Sequence, residues 1–276
     1  MSYFRRTRPT FTRIVTWIAA GVFIAFLLAV LFSVVLTAFA TKWGASWLPE
    51  GLTTGWFAEA IDTPGLVNSI VVTFQVSFAV VAIALIAGVP AGYILARKNF
   101  PSRSALMLLL LLPVILPSLT YAVQLAALMY RIGIGGSLLA VIVVNLVPTV
   151  PLVILVTVPF VEQISPDVER AARVFGADSG RLFIHVLVPL LVPGIVAAAL
   201  LAFVRTLAAF DLTFFVSSAK SQTLVVSIFG KLSDPGGPPI MLTAAMTVFY
   251  MLFALVGLIV SARFSNPAQT LGRSAA

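Results

Sequence analysis

Long apolar runs alternate with short polar breaks along the whole chain. Continuous apolar stretches cover about residues 14–39, 67–95, 105–130, 137–160, 190–215 and 240–262. Crossing a bilayer as a helix takes about 20 apolar residues, so the pattern predicts six membrane-spanning helices. Outer-membrane strands would be shorter and would alternate, which these runs do not. Prolines punctuate the pattern. Pro113 and Pro117 predict a kink or a broken third span, Pro148 and Pro151 an interrupted fourth, and Gly88 with Pro90 a bend near the end of the second.

One polar island stands out between the fourth and fifth runs, from Ser165 to Gly194. Ser165 followed by Pro166 is a helix start: the hydroxyl accepts from an unpaired N–H, and proline suits the first helical position. Asp167 and Glu169 place negative charge where the helix dipole favours it. Val168, Ala172 and Phe175 form a narrow apolar stripe, and Gly176 is a C-terminal stop. Asp178 or Ser179 caps a second helix that Pro189 is expected to end or bend. A helix of about ten residues is too short to stand alone, so this one reads as a surface that docks into something.

Composition narrows the class. Of 276 residues, 61% are hydrophobic and 9% charged, and the mean hydropathy is +1.12, far from the roughly one-quarter charged typical of soluble domains. The net charge of +8 arises from short clusters flanking the apolar runs, so it reports topology rather than nucleic-acid binding. With the N-terminus inside, 12 of the 17 Lys and Arg fall on the cytoplasmic side and 4 outside. This bias predicts that both termini and the island are cytoplasmic. The first apolar run is too long for a cleaved signal and is expected to remain as a span. The expected layout is a basic segment 1–13, a six-helix domain 14–263 with a cytoplasmic loop 161–189, and a tail 264–276. Trp43, Trp47 and Trp56 between the first two spans suit a segment at the membrane interface. Without cysteines, disulfides, thiolate metal sites and Cys nucleophiles are excluded.

The island also carries a resemblance. Ala171, Ala172, Gly176 and then Val186-x-Val188-Pro189, with the proline thirteen residues after the glycine, resemble the EAA loop of ABC-importer permeases. The pattern there is EAA, three residues, Gly, nine residues and I-x-L-P. Arg170 stands at the family's Glu position, with Glu169 one residue early. Similarity continues in the Asn68-Ser69-x-x-Val72-Thr73-Phe74 run and in Thr223-Leu224-Val225, and its flavour is closest to the polyamine, aminoethylphosphonate and ferric-type permeases. The resemblance implies an all-α, type I permease of the bacterial inner membrane, working by alternating access and catalysing nothing itself. It also implies a solute-binding protein, a second permease chain (homologous or identical) and two cytoplasmic ATPase subunits that use ATP and Mg. The docking residues it implies are Asp167, Glu169, Arg170, Ala172 and Gly176.

Within the spans, Tyr121, Gln124, Asn145, Arg205 and Asp211 are candidates to line a solute path, since polar groups at membrane depth need a reason. Tyr121, Gln124 and Asn145 equally suit interhelical hydrogen bonds. On one continuous helix, Arg205 and Asp211 would lie about 240° apart. Asp211 then suits either attraction of a cationic solute or solvation near the outer boundary. The single histidine, His185, has no acidic cluster beside it, and no catalytic or metal-binding motif is present. Ala197–Ala199 and Ala208–Ala209 are expected to allow close helix packing. A membrane-embedded enzyme would need clustered catalytic groups in the spans, and a secondary carrier would be expected to show internal repeats and ion-coupling acids.

Overall fold

The computed structural model describes residues 10–44 and 46–264. Arg5, Arg6 and Arg8 of the basic N-terminal segment, and the tail from residue 265, lie outside them. Among the described residues the chain is helical, with one isolated antiparallel bridge between Ala40 and Leu52. It divides into two compact units: residues up to Asp62 with Lys231–Phe249, and Thr63–Gly230 with residues from Tyr250 onward.

In the first unit, helix α1 (Thr10–Phe39) buries almost none of its apolar side chains; Trp17, Phe23 and Phe26 are all exposed. That suits a helix whose solvent is hydrocarbon. After it the backbone folds back, Thr41 N–H donating to Gly51 and Thr53 N–H to Phe39. The expected tryptophan-rich segment forms a short helix, α2 (Gly55–Asp62), pinned by Trp56 Nε1–H donating to the Ala40 carbonyl at 2.8 Å.

The second unit is built on α3 (Leu66–Arg97), α4 (Arg103–Ile115), α5 (Leu119–Arg131), α6 (Leu138–Glu162) and α7 (Pro166–Val174). A three-residue helical turn, α8 (Ser179–Arg181), runs through a π-helical segment (Leu182–Leu187) into α9 (Val188–Leu207), and α10 (Asp211–Val216) follows. Further on are α11 (Leu224–Ser233) and α12 (Ile240–Phe264). Among the described residues, five helices are long and apolar enough to cross a membrane, and α4 with α5, bent by 93°, makes a sixth if the pair is one span.

The prolines act differently in each span. The third span breaks as expected, and the cause is local. Pro117 has no N–H to give the Pro113 carbonyl four residues earlier, and the Tyr121 hydroxyl donates to that carbonyl instead, at 3.0 Å. In the fourth span the expected interruption is absent. α6 is continuous through Pro148 and Pro151, both buried, and the Asn145 and Thr149 side chains add bonds to the Val141 and Asn145 carbonyls in that stretch. Nor does Pro189 end the helix capped by Asp178; it lies where the π-helical segment passes into α9, and the helix continues to Leu207. The fifth span breaks where no proline stands, at residues 208–210. The stretch between the fifth and sixth apolar runs contains α11.

α3 passes through Pro90 as one helix, and its glycines serve contact. A Cβ on Gly88 would lie 2.6 Å from Val153 Cγ1, and one on Gly92 2.8 Å from Thr157 Cβ. The two helices therefore approach at a separation only glycine permits, the small-xxx-small packing of membrane helices. The core continues on both sides of this seam, through Val76, Ala126 and Val141 in one cluster and Ala84, Leu187 and Ala198 in another.

Candidate functional site

The island folds as its local sequence dictates. The Ser165 hydroxyl accepts from Asp167 N–H, Pro166 is the first helical residue, and α7 ends in a Schellman motif. Ala177 N–H donates to the Ala172 carbonyl and Gly176 N–H to Arg173, with Gly176 at φ +85°. Ala172 and Ala177 pack on the core around Val161, Leu182 and Leu187, so α7 is anchored along one side. Outward it presents Val174 and Phe175, 85% and 90% exposed, and an exposed Asp167–Arg170 pair at 3.0 Å.

Glu169 is placed differently from its neighbours. Its two carboxylate oxygens accept from Arg97 Nε, at 2.6 Å, and from the Tyr93 hydroxyl, at 2.8 Å. Arg97 donates its other arm to the Ile164 carbonyl at 2.7 Å. Glu169 thus faces its own chain, while Asp167 and Arg170 face outward and Ala172 packs inward. The sequence signal for this was the shift of the acid one position ahead of the family's Glu, which turns it through about 100° on the helix.

A cavity of about 450 Å³ lies where the broken spans meet, lined by Ser118, Asn145, Arg205 and Asp211 among others. The break at 208–210 corrects the helical-wheel expectation: Arg205 lies in the last turn of one helix and Asp211 begins the next, and both face the same space. Ala208 and Ala209, expected to pack helices, line it instead, while Ala198 and Ala202 do the packing. The Ser118 hydroxyl donates to Asp211 at 2.5 Å. Buried Asn145 donates to the Val141 carbonyl and to Thr213 Oγ1 at 3.2 Å. Among the described residues Arg205 has no carboxylate within 4.0 Å, and the Tyr121 hydroxyl lies within electrostatic reach of it. Gln124, the remaining candidate, is exposed, and neither it nor Tyr121 is among the residues that line the cavity. Ser118 was missed in the sequence because an ordinary N-cap position gives no sign of a partner 93 residues away.

Two other runs singled out in the sequence meet in space. Thr73 Oγ1 accepts from Leu224 N–H at 2.8 Å, and Asn68 donates to the Lys220 carbonyl at 3.1 Å. Among the described residues no three His, Cys, Asp or Glu side chains gather as a metal site would need.

A chain of apolar spans, two of them broken around a polar cavity, with a short capped helix between the fourth and fifth, has the architecture of a transport subunit. It belongs to the family of binding-protein-dependent transport system inner membrane components, whose pattern matches residues 88–266. It is thus a multi-pass inner-membrane protein, a permease subunit of an ABC importer. The molybdenum transport permease ModB of Haemophilus influenzae is 29% identical over 194 residues, covering 64% of this chain and 84% of the relative. The sulfate transport permease CysT of Escherichia coli is also 29% identical, covering 64% and 69%. The fold is shared with a crystal structure of a bacterial ABC transporter that imports the acidic polysaccharide alginate, with a TM-score of 0.76, 15% identity, and coverage of 95% of this chain and 99% of that one.

Proposed function

We propose that this permease couples to a cytoplasmic ATPase subunit through α7 and conducts a small polar solute past Arg205 and Asp211. What supports the first part is the build of α7: a nine-residue helix, capped at both ends and anchored on one side, that displays Val174 and Phe175 to its surroundings. An apolar pair held that rigidly is suited to insertion into a partner's groove. The partner hydrolyses ATP with Mg, two copies acting on two permease chains, while this chain contributes no catalytic group. A solute-binding protein delivers cargo from outside; the alginate importer of similar fold is known in complex with a pentasaccharide-bound periplasmic protein. Both termini and α7 lie in the cytoplasm on this reading, following the Lys and Arg bias. The experiment is co-purification from membranes: Phe175→Glu removes the bound ATPase and at least tenfold of uptake while membrane levels of the permease hold. Normal uptake by that variant rejects the docking surface.

The two charges in the cavity support a choice among solutes. A guanidinium matches an oxyanion two bonds at a time, and a carboxylate suits an ammonium group. Of polyamine, aminoethylphosphonate and ferric iron, aminoethylphosphonate carries both groups. A polyamine offers Arg205 only repulsion, and ferric iron would need more ligands than one carboxylate. The sulfate permease among its relatives also handles an oxyanion. Uptake of labelled aminoethylphosphonate, undiminished by excess spermidine and lost in Arg205→Gln, is the expected result. Uptake of spermidine with no response to Arg205→Gln rejects it.

A further inference from the structure

We infer that Arg97, with Tyr93, is the positioning pair that makes α7 and the α3–α6 helices move as one body, so that displacement of α7 becomes displacement of one wall of the cavity. The inference rests on the reading of α7 as the docking helix and adds the route by which its motion reaches the solute path.

The geometry is that of a strut. Tyr93 and Arg97 are four residues apart and so share one face at the end of α3. Together they occupy both oxygens of Glu169, and Arg97 also reaches the Ile164 carbonyl beyond the end of α6. One guanidinium therefore holds α3, α7 and the end of α6 at a single point, through charge-assisted bonds of 2.6 and 2.7 Å. The Arg97 and Glu169 side chains are only 16% and 12% exposed, unlike the Asp167–Arg170 pair at 77% and 74%. Water and salt compete little with the first pair and strongly with the second.

Beyond the strut the path stays stiff. Glycines at 88 and 92 bring α3 against Val153 and Thr157 of α6 with no room for sliding. α6 in turn carries Asn145 and Leu152 into the cavity wall facing Arg205 and Asp211. α7 is also joined to α6 through residues 163–165 and packs Ala172 on the core around Val161, and it continues along the chain through α8 and the π segment into α9, the opposite wall. The π turn is an irregularity in the helix ladder on that second route. Cutting the strut thus removes the polar tie between α7 and α3 and leaves α7 joined to α6 by the three-residue connection and apolar packing.

The test uses the assembled importer, permease with ATPase and binding protein, in proteoliposomes, reading solute uptake and ATP turnover together. In Arg97→Gln and in Glu169→Gln, ATPase association is retained, turnover stays within twofold, and uptake falls at least tenfold. Exchanging the pair, Arg97→Glu with Glu169→Arg, raises uptake at least threefold over either single variant. Uptake and turnover falling in step, no change in either, or an exchange no better than the singles overturns the strut.

A second measurement leaves the strut intact. The chain has no cysteine, so Lys98→Cys and Arg173→Cys can be joined by the shortest bis-maleimide that reacts. Uptake survives the cross-link when the two elements move together; its loss overturns the proposal even where the charge variants fail to assemble. Failure of the docking reading looks different, since Phe175→Glu would then leave ATPase co-purification intact.

Discussion

The Ser118 hydroxyl donates to an Asp211 carboxylate oxygen at 2.5 Å, joining the breaks of two different spans. Ser118 precedes α5 in the gap left by Pro117, and Asp211 opens α10 after the gap at 208–210. Each break exposes backbone groups and makes room, and together they bound the cavity that holds Arg205.

Ser118→Ala is expected to lower stability by about 1.5–3 kcal/mol, the usual worth of a hydrogen bond to a charged group. Denaturant unfolding in detergent measures it. Asp211→Asn, which keeps the bond without the charge, should cost less stability but more uptake. Equal effects of the two on both readouts would count against a role for the charge.

Tyr121→Phe deletes only the hydroxyl that satisfies the Pro113 carbonyl, so an acceptor is left without its donor at a cost of about 1–3 kcal/mol. Restoring an N–H in Pro117→Ala should suppress the defect in the double variant, because the carbonyl then regains a backbone donor. A double variant no more stable than Tyr121→Phe alone would contradict this account of the break.

Gly92→Ala should be destabilising by about 1–3 kcal/mol, since the new Cβ meets the Ile154 carbonyl at 3.1 Å as well as Thr157. Gly176→Ala meets no atom within 4 Å, and its cost comes from φ +85° alone, about 1–2 kcal/mol. Asn at 176 tolerates that conformation and should retain most of the stability. Unfolding of the three variants under one condition ranks them.

Asp167→Ala and Arg170→Ala should each change stability by less than about 1 kcal/mol, as their ion pair is exposed. Any loss of uptake in these variants is then an effect on docking, measured as weaker retention of the ATPase during purification.

The sequence by itself determined the membrane class, the spans and the island. Apolar length reports directly on bilayer thickness, and the ends of α7 are closed by partners within five residues: Ser165 with Asp167, and Gly176 and Ala177 with Arg173 and Ala172. Such features travel with any stretch of chain that contains them. Tertiary structure alone decided the rest. Pro117 stands where a helix breaks while Pro148 and Pro151, buried in α6, do not interrupt theirs. Residues 208–210 break one with neither proline nor glycine to mark the place, and so bring Arg205 and Asp211 to one cavity. Glu169 meets Arg97 across 72 residues. Each of these depends on which helix lies alongside, a matter of packing between segments far apart in the chain that no local pattern records.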